Sequence, residues 1–405
     1  MLGIYSLEKQ VWYNELISGC CEIISMNELI DKLTSKKKLI IKAGFDPTSA
    51  DLHLGHVLIL KKLSQFQMLG HQIVCLIGDF TARIGDPSGN SISRVPISKE
   101  SIKSNIRFYE EQIFRVLDKD KTKIVYNSEW LNTLSIEDFF ILMSKCSVSR
   151  MFQREDFRRR YFSKKSILIN EFLYPLLQGY DSMVLNADIE IGGIDQKFNL
   201  LIGREIQKKY GLMPQCIIML PLMIGLDGVR KMSKSFNNYI GINESPEEIF
   251  GKIMSISDDI MWHYIEVLNL KSLCKSNLFS KTKKISGLDI MNIKVLLAKK
   301  LVMFLYSQKD ADLAHKVFID KFRNKLVPKN LIIETILYNK ELSIINILRH
   351  LNFSRSNSES FRLIKQGAVK IDGKRICDLS VRFFENKIYI IQVGKLRYSK
   401  FILKK

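Results

Sequence analysis

The chain has 405 residues, 46% of them hydrophobic, enough for two or three globular domains with at least one large core. No run of about 18 or more apolar residues occurs, and Met1–Gln10 lacks a basic start followed by an apolar core, so the sequence predicts no membrane association, no secretion and a cytoplasmic location. Net charge is +20, from 62 Lys and Arg against 42 Asp and Glu, which favours a polyanionic partner such as nucleic acid, while seven scattered cysteines without a C-x-x-C pair predict reduced thiols and no metal site.

Residues 1–37 read as helical and amphipathic and run into the Lys36-Lys37-Lys38 cluster. Leu39–Phe45 is a short β-branched run, the mark of a buried parallel strand. Asp46-Pro47-Thr48 turns the chain, a helical period follows from His53 through Leu69, and Gln72–Gly78 is a second buried strand. Strand, helix and strand at this spacing form a βαβ unit. The expected fold class is α/β, a Rossmann-like doubly wound parallel sheet. Ligands of such sheets sit at the carboxyl ends of the strands, where the first loop carries His53-Leu54-Gly55-His56. Two imidazoles at a helix start either face one phosphate group or lie on the surface as a helix entry.

Residues 79–98 form a polar loop at the same edge, with Asp86 and Arg94 as candidates for a ligand amine and a phosphate; turn formation by Asp86-Pro87-Ser88-Gly89 is the other reading. Residues 99–165 read as a helical insertion, in which Phe152–Arg160 is either a solvated face or an RNA-facing surface. In the helix expected over 171–181, Tyr174, Gln178 and Asp181 share one face. A phenol, an amide and a carboxylate there make a polar pocket wall. Asp181 suits a substrate hydroxyl, and Tyr174 with Gln178 suits an ammonium. A strand at 188–191 leads into Gly192-Gly193-Ile194-Asp195-Gln196, where Asp195 and Gln196 reach the ligand. A helix over 198–210 and a last strand at Cys216–Met219 follow. Met223–Arg230 then reads as a mobile turn delivering Lys231-Met232-Ser233-Lys234-Ser235, two lysines and two hydroxyls that form an anion grip.

The catalytic domain is expected over 1–240, a helical domain over 241–327 and a linker over 328–339. Residues 340–405 form a basic α+β module with helices at 342–351 and 356–366 and a hairpin turn at Asp372-Gly373. Its Arg355, Arg362, Lys365, Lys370, Lys374 and Arg375 suit the backbone of structured RNA.

Several separate stretches match one family. His53–His56 resembles the HIGH motif and Lys231–Ser235 the KMSKS motif of class I aminoacyl-tRNA synthetases. Gly44–Thr48, Ile84–Pro87, Leu177–Asp181 and Gly192–Gln196 are similar to those of bacterial tyrosyl-tRNA synthetases, and 340–405 resembles an S4 RNA-binding domain. The resemblance implies activation of tyrosine by ATP and Mg2+, transfer to tRNA(Tyr), and a homodimer. It implies that His53, His56, Lys231, Lys234 and Ser235 serve the chemistry. Gly44, Asp46, Thr48, Arg94 and Asp195 would join the histidines and lysines around ATP. Lys42, Asp86, Tyr174, Gln178, Asp181 and Gln196 would hold tyrosine. Two positions depart from the family. Lys42 stands where a tyrosine contacts the phenol, so Asp181 acts alone or with Lys42 as donor, and Asn90 stands where a lysine is common, shifting phosphate contact to Arg94 and the lysine loop. A tryptophanyl synthetase and a non-catalytic RNA-binding relative are the competing readings.

Overall fold

The computed structural model describes residues 16–35, 37–88, 97–270, 287–322, 333–337, 343–379, 381–394 and 397–404. They divide into two compact units, Met1–Gln308 and Lys309–Lys405.

In the first unit, six short strands form one sheet: β1 (Glu22–Ile24), β2 (Ile40–Phe45), β3 (Gln72–Ile77), β4 (Thr122–Tyr126), β5 (Ile189–Gly193) and β6 (Cys216–Leu220), in the order β1-β6-β5-β2-β3-β4. β2 to β6 pair in parallel, but β1 runs antiparallel to β6, with Glu22 opposite Met219. The sheet is therefore mixed rather than wholly parallel. An antiparallel strand is readily added at an edge, where only one neighbour constrains its direction. β1 also corrects the wholly helical reading of 1–37, of which residues 1–15 and 36 lie outside the described residues.

The longer helices of this unit are α1 (Met26–Thr34), α2 (Leu54–Met68), α3 (Lys99–Ile113), α4 (Ile136–Ser144), α5 (Glu155–Phe162), α6 (Ile169–Val184), α7 (Lys197–Lys209), α8 (Pro246–Ser255), α9 (Asp258–Val267) and α10 (Gly287–Leu305), with single turns at Ser128–Leu131 and Val148–Met151. The central strands are buried on both faces: Ile41, Ala43, Ile73, Cys75, Ile77, Ile189 and Ile217 have no exposed surface. The 99–165 insertion is not all helix. Thr122–Tyr126 joins the sheet as β4, because β3 offers it a free edge and its Val125 packs on Val74 and Leu76.

The second unit contains α11 up to Phe322 (Gln308–Phe322 begins one residue before it), β7 (Ile333–Leu337), α12 (Ile344–His350), α13 (Asn357–Lys365), β8 (Val369–Ile371), β9 (Lys374–Arg375), β10 (Ile388–Val393) and β11 (Arg397–Lys404). The strands lie in the order β7-β11-β10-β8-β9. β7 falls within the expected 328–339 linker: an Ile/Thr/Leu alternation there pairs in parallel with β11. The remainder of that linker lies outside the described residues. Asp372 and Gly373 take φ of 48° and 82°, the two positive values that a tight two-residue hairpin requires. Ile344, Ile347, Leu348, Val369, Ile391 and Phe401 fill the core between helices and sheet.

Candidate active site

At the start of α2, His53 is the N-cap residue. Its Nδ1 accepts the Gly55 N–H at 3.1 Å, and the Nδ1 of His56 accepts the His53 N–H at 3.1 Å. Both δ nitrogens act as acceptors, so each neutral ring carries its proton on Nε2, ready to donate. The rings lie 4.1 Å apart. Burial, then the neighbouring His56 and the two signature lysines, pushes His53 down to about 2; burial and Lys234 push His56 down to about 4. Both are neutral near pH 7. A Cβ on Gly55 would sit 2.9 Å from His53 Cε1, so glycine here leaves room for the ring as it is seated.

The loop carrying Lys231–Ser235, the signature loop, is tied to the start of α2. His53 and Gly241 form an antiparallel bridge, with Leu54 N–H donating to Ile240 O at 3.1 Å and Ile242 N–H to Leu52 O at 2.9 Å. The turn expected at 223–230 is closed by Gly225 N–H to Arg230 O at 2.8 Å and Met232 N–H to Met223 O at 2.7 Å. Met232 is buried and anchors it. Asn238 fastens the far side, accepting the Ser233 N–H at 2.9 Å and donating to Asp227 Oδ2 at 3.0 Å. Lys231 Nζ reaches Asp195 Oδ2 at 3.0 Å and Lys234 Nζ reaches Asp51 Oδ2 at 3.2 Å. Ser235 is exposed in the single turn Lys234–Phe236.

Along α6 runs a continuous polar chain. Tyr174 OH donates to Asp46 Oδ2 at 2.8 Å, and Thr81 Oγ1 donates to Asp46 Oδ1 at 2.9 Å. Asn127 Nδ2 donates to Thr81 Oγ1 at 3.0 Å and to Asp181 Oδ2 at 3.2 Å, and Trp130 Nε1 donates to Asp181 Oδ1 at 2.8 Å. A Cβ at Gly78 would overlap Asp46 Oδ1 and Thr81 Oγ1, so glycine there is a condition of the network. Asp46, expected on the nucleotide side, thus also orients Tyr174; Gly44 precedes it in β2 and Thr48 N–H turns back to its carbonyl at 2.7 Å. Asp181 is 1% exposed. Burial raises its carboxyl to about 7, against the lowering pull of Lys42, Trp130 and Asn127.

Lys42 lies in β2 among three acceptors. It is fully buried, and its ammonium meets Ser182 Oγ at 2.6 Å, Glu190 Oε1 at 3.0 Å and the Gln178 carbonyl at 3.3 Å. Three acceptors use its three hydrogens. Gln178 Nε2 also points at Glu190 Oε1, 3.4 Å away. Asp86 accepts from Gln196 Nε2 at 2.6 Å and from Ser88 N–H at 2.9 Å, with the Arg154 guanidinium 3.9 Å away. Burial alone would raise Asp86, but Arg154, Gln196 and Ser88 outweigh it and hold the carboxyl below its usual range. Arg94 and Asn90 lie outside the described residues.

Sequence reasoning missed Asn127, Trp130, Ser182, Glu190, Thr81, Arg154 and Asp51. Asn127 and Trp130 follow β4, so recognising that strand would have put them at a carboxyl edge.

In the second unit, Arg355, Arg362, Lys365, Lys374 and Arg375 are exposed and Lys370 is half-buried. Arg375 is partly committed, its guanidinium capping the end of α13 through the Gln366 and Gly367 carbonyls at 3.1 and 2.9 Å.

Residues 34–323 match the family described as tRNA synthetases class I (W and Y). The chain is 49% identical over 387 residues to a tyrosine–tRNA ligase of Legionella pneumophila, covering 96% of each, and 48% identical over 395 residues to that of Coxiella burnetii, covering 97% of this chain and 99% of the relative. The chain belongs to the tyrosine–tRNA ligase family. Solved structures add the fold: a tyrosyl-tRNA synthetase of Archaeoglobus fulgidus complexed with L-tyrosine superimposes with a TM-score of 0.59 at 23% identity, over 75% of this chain and 99% of that one. A truncated mitochondrial enzyme of Aspergillus nidulans gives 0.62 at 19% identity, over 76% and 93%. Synthetases of this class use ATP as a substrate. Among the described residues, no helix of this ligase is long and apolar enough to cross a membrane.

Proposed function

We propose that this synthetase activates L-tyrosine with ATP to tyrosyl-adenylate and pyrophosphate, and then transfers the tyrosyl group to the 3′ end of tRNA(Tyr). The observation that supports the reading is the His53–Gly241 bridge, which joins the helix entry carrying two neutral imidazoles to the chain just after the loop that carries Lys231 and Lys234.

The chemistry needs no protein nucleophile. The tyrosine carboxylate attacks the α-phosphorus, and the protein supplies position and charge. His53 and His56 donate from Nε2 to phosphate oxygens. Lys231 and Lys234 turn from their carboxylates to the departing pyrophosphate, with Ser235 and Arg94 beside them. Mg2+ belongs with the triphosphate oxygens, its usual ligands; among the described residues no group of three His, Cys, Asp or Glu side chains is arranged to hold a metal ion by itself. Asp195 and Gln196 face the ribose, and Gly44, Asp46 and Thr48 line the nucleotide side.

Asp181 receives the phenolic hydroxyl. Tyr174, whose own hydrogen goes to Asp46, accepts from the tyrosine ammonium together with Gln178 and Asp86. Lys42 acts from behind the pocket wall. Residues 340–405 serve as an S4-type domain that grips tRNA through Arg355, Arg362, Lys365, Lys370, Lys374 and Arg375, after a helical domain over 241–327. A homodimer is supported by apolar side chains on the insertion and at the start of α6: Ile136, Phe162 and Ile169 are 78, 73 and 80% exposed, which suits burial against a second copy. The cytoplasm is the expected compartment.

Amino-acid-dependent ATP–pyrophosphate exchange tests the reading. Tyrosine is expected to support exchange. Exchange with tryptophan alone would remove the tyrosyl assignment, and no exchange with either would remove the enzymatic one.

A further inference from the structure

Both lysines of the signature loop rest on carboxylates, although the site they serve receives a polyanion. The two carboxylates differ. Asp195 sits in the turn that leads into α7, next to Gln196. Asp51 belongs to the entry of α2, and three bonds fix it. Its Oδ1 accepts from Asn243 Nδ2 at 3.1 Å. The adjoining Leu52 is fully buried, donates its N–H to Gln112 Oε1 at 2.6 Å and accepts the Ile242 N–H at 2.9 Å. Lys234 is the movable partner: it stands in a single helical turn that closes on Asn237 at a φ of 51°, and its ammonium also lies 5.5 Å from the centre of the Tyr239 ring.

One ammonium thus faces two claimants, a fixed carboxylate before nucleotide arrives and a phosphate afterwards. Because the carboxylate is anchored and the lysine is on a four-carbon stem, exchange of partner falls to the lysine. We infer that Asp51 is a positioning residue, a latch that holds Lys234 and its loop beside the histidine pair until the triphosphate takes the lysine over. The inference rests on the reading that this loop receives the phosphates.

The latch makes a signed prediction. Removing the charge in Asp51→Asn removes a competitor, so KM for ATP in the exchange reaction should fall, by about two- to fivefold for a partly exposed ion pair. Loss of a merely structural residue would raise it. The same variant should be cleaved faster by trypsin after Arg230, Lys231 and Lys234 in the absence of nucleotide, with ATP restoring protection. Asp51→Glu should behave as the native protein. If Asp51→Asn lowers the unfolding temperature, Asn243→Ala, which keeps the charge and removes its tether, provides the same proteolysis comparison. A KM that rises or stays level overturns the latch; a KM that falls with unchanged cleavage assigns the effect to the field of Asp51 and also overturns it. Lys234→Ala separates the underlying reading: an undiminished activation rate there removes the phosphate role itself, whereas a large loss leaves that role standing whatever becomes of the latch.

Discussion

Replacing Asp181 by Asn should separate what this carboxylate does for recognition from what it costs the fold. Its two oxygens take one hydrogen each from Asn127 and Trp130. Asn127 cannot rotate its amide to suit a new neighbour, because its Oδ1 already accepts the Phe80 N–H at 2.9 Å and its other hydrogen goes to Thr81. An amide at 181 therefore sets its NH2 against a donor, either the Asn127 NH2 or the Trp130 N–H, and offers no anionic acceptor for a phenol. A hydrogen bond to a charged group contributes about 1.5–3 kcal/mol, so tyrosine-over-phenylalanine selectivity in exchange should fall by about one to two orders of magnitude. Stability should move the other way with pH. The folded carboxyl titrates near 7 against 3.8 for an ordinary aspartate, so its contribution is present below about pH 4 and is lost as pH rises through 7; the gap corresponds to about 4 kcal/mol. Asn does not ionise. The difference in unfolding free energy, variant minus native, should therefore increase from pH 4 to pH 8. Denaturant unfolding at both ends of that window, with exchange assays on tyrosine and phenylalanine, checks both halves. Unchanged selectivity would place the phenol elsewhere, and a stability difference independent of pH would mean that Asp181 does not titrate there.

Lys42→Met leaves Glu190 as a buried carboxylate held, among the described residues, by Ser182, Gln178 and Gln215, and should cost about 3–5 kcal/mol in denaturant unfolding; adding Glu190→Gln should recover most of it, and failure to recover would mean the pair is not coupled. Charge reversal of the exposed Arg362 and Lys365 should leave ATP–pyrophosphate exchange unchanged while raising KM for tRNA at low salt, the gap closing as salt is added; equal loss in both assays would make the module structural.

The elements legible in the sequence were those whose cause is local. The β2–α2–β3 unit follows from two β-branched runs around a helical period, and the β8–β9 turn from Asp372-Gly373. β4 escaped because its strand character depends on a distant edge: Thr122–Tyr126 carries Lys123 on an exposed position and becomes a strand only where β3 is there to pair with it. The pairings within the site fail locally for the same reason, Lys234 and Asp51 being 183 residues apart. Lys42 is different, since the sequence held its answer. Two otherwise apolar strands, Ile-Ile-Lys-Ala-Gly-Phe and Ile-Glu-Ile-Gly-Gly, each carry one charge of opposite sign. A strand buried on both faces in a parallel sheet cannot leave either charge unpaired. If both strands are central, the charges must meet, and pairing Lys42 with Glu190 then fixes the register of β2 against β5, which is the register observed. Lys42 is on this argument committed to the sheet by its strand neighbours, whereas Asp181 is held by Asn127 and Trp130, which follow β4.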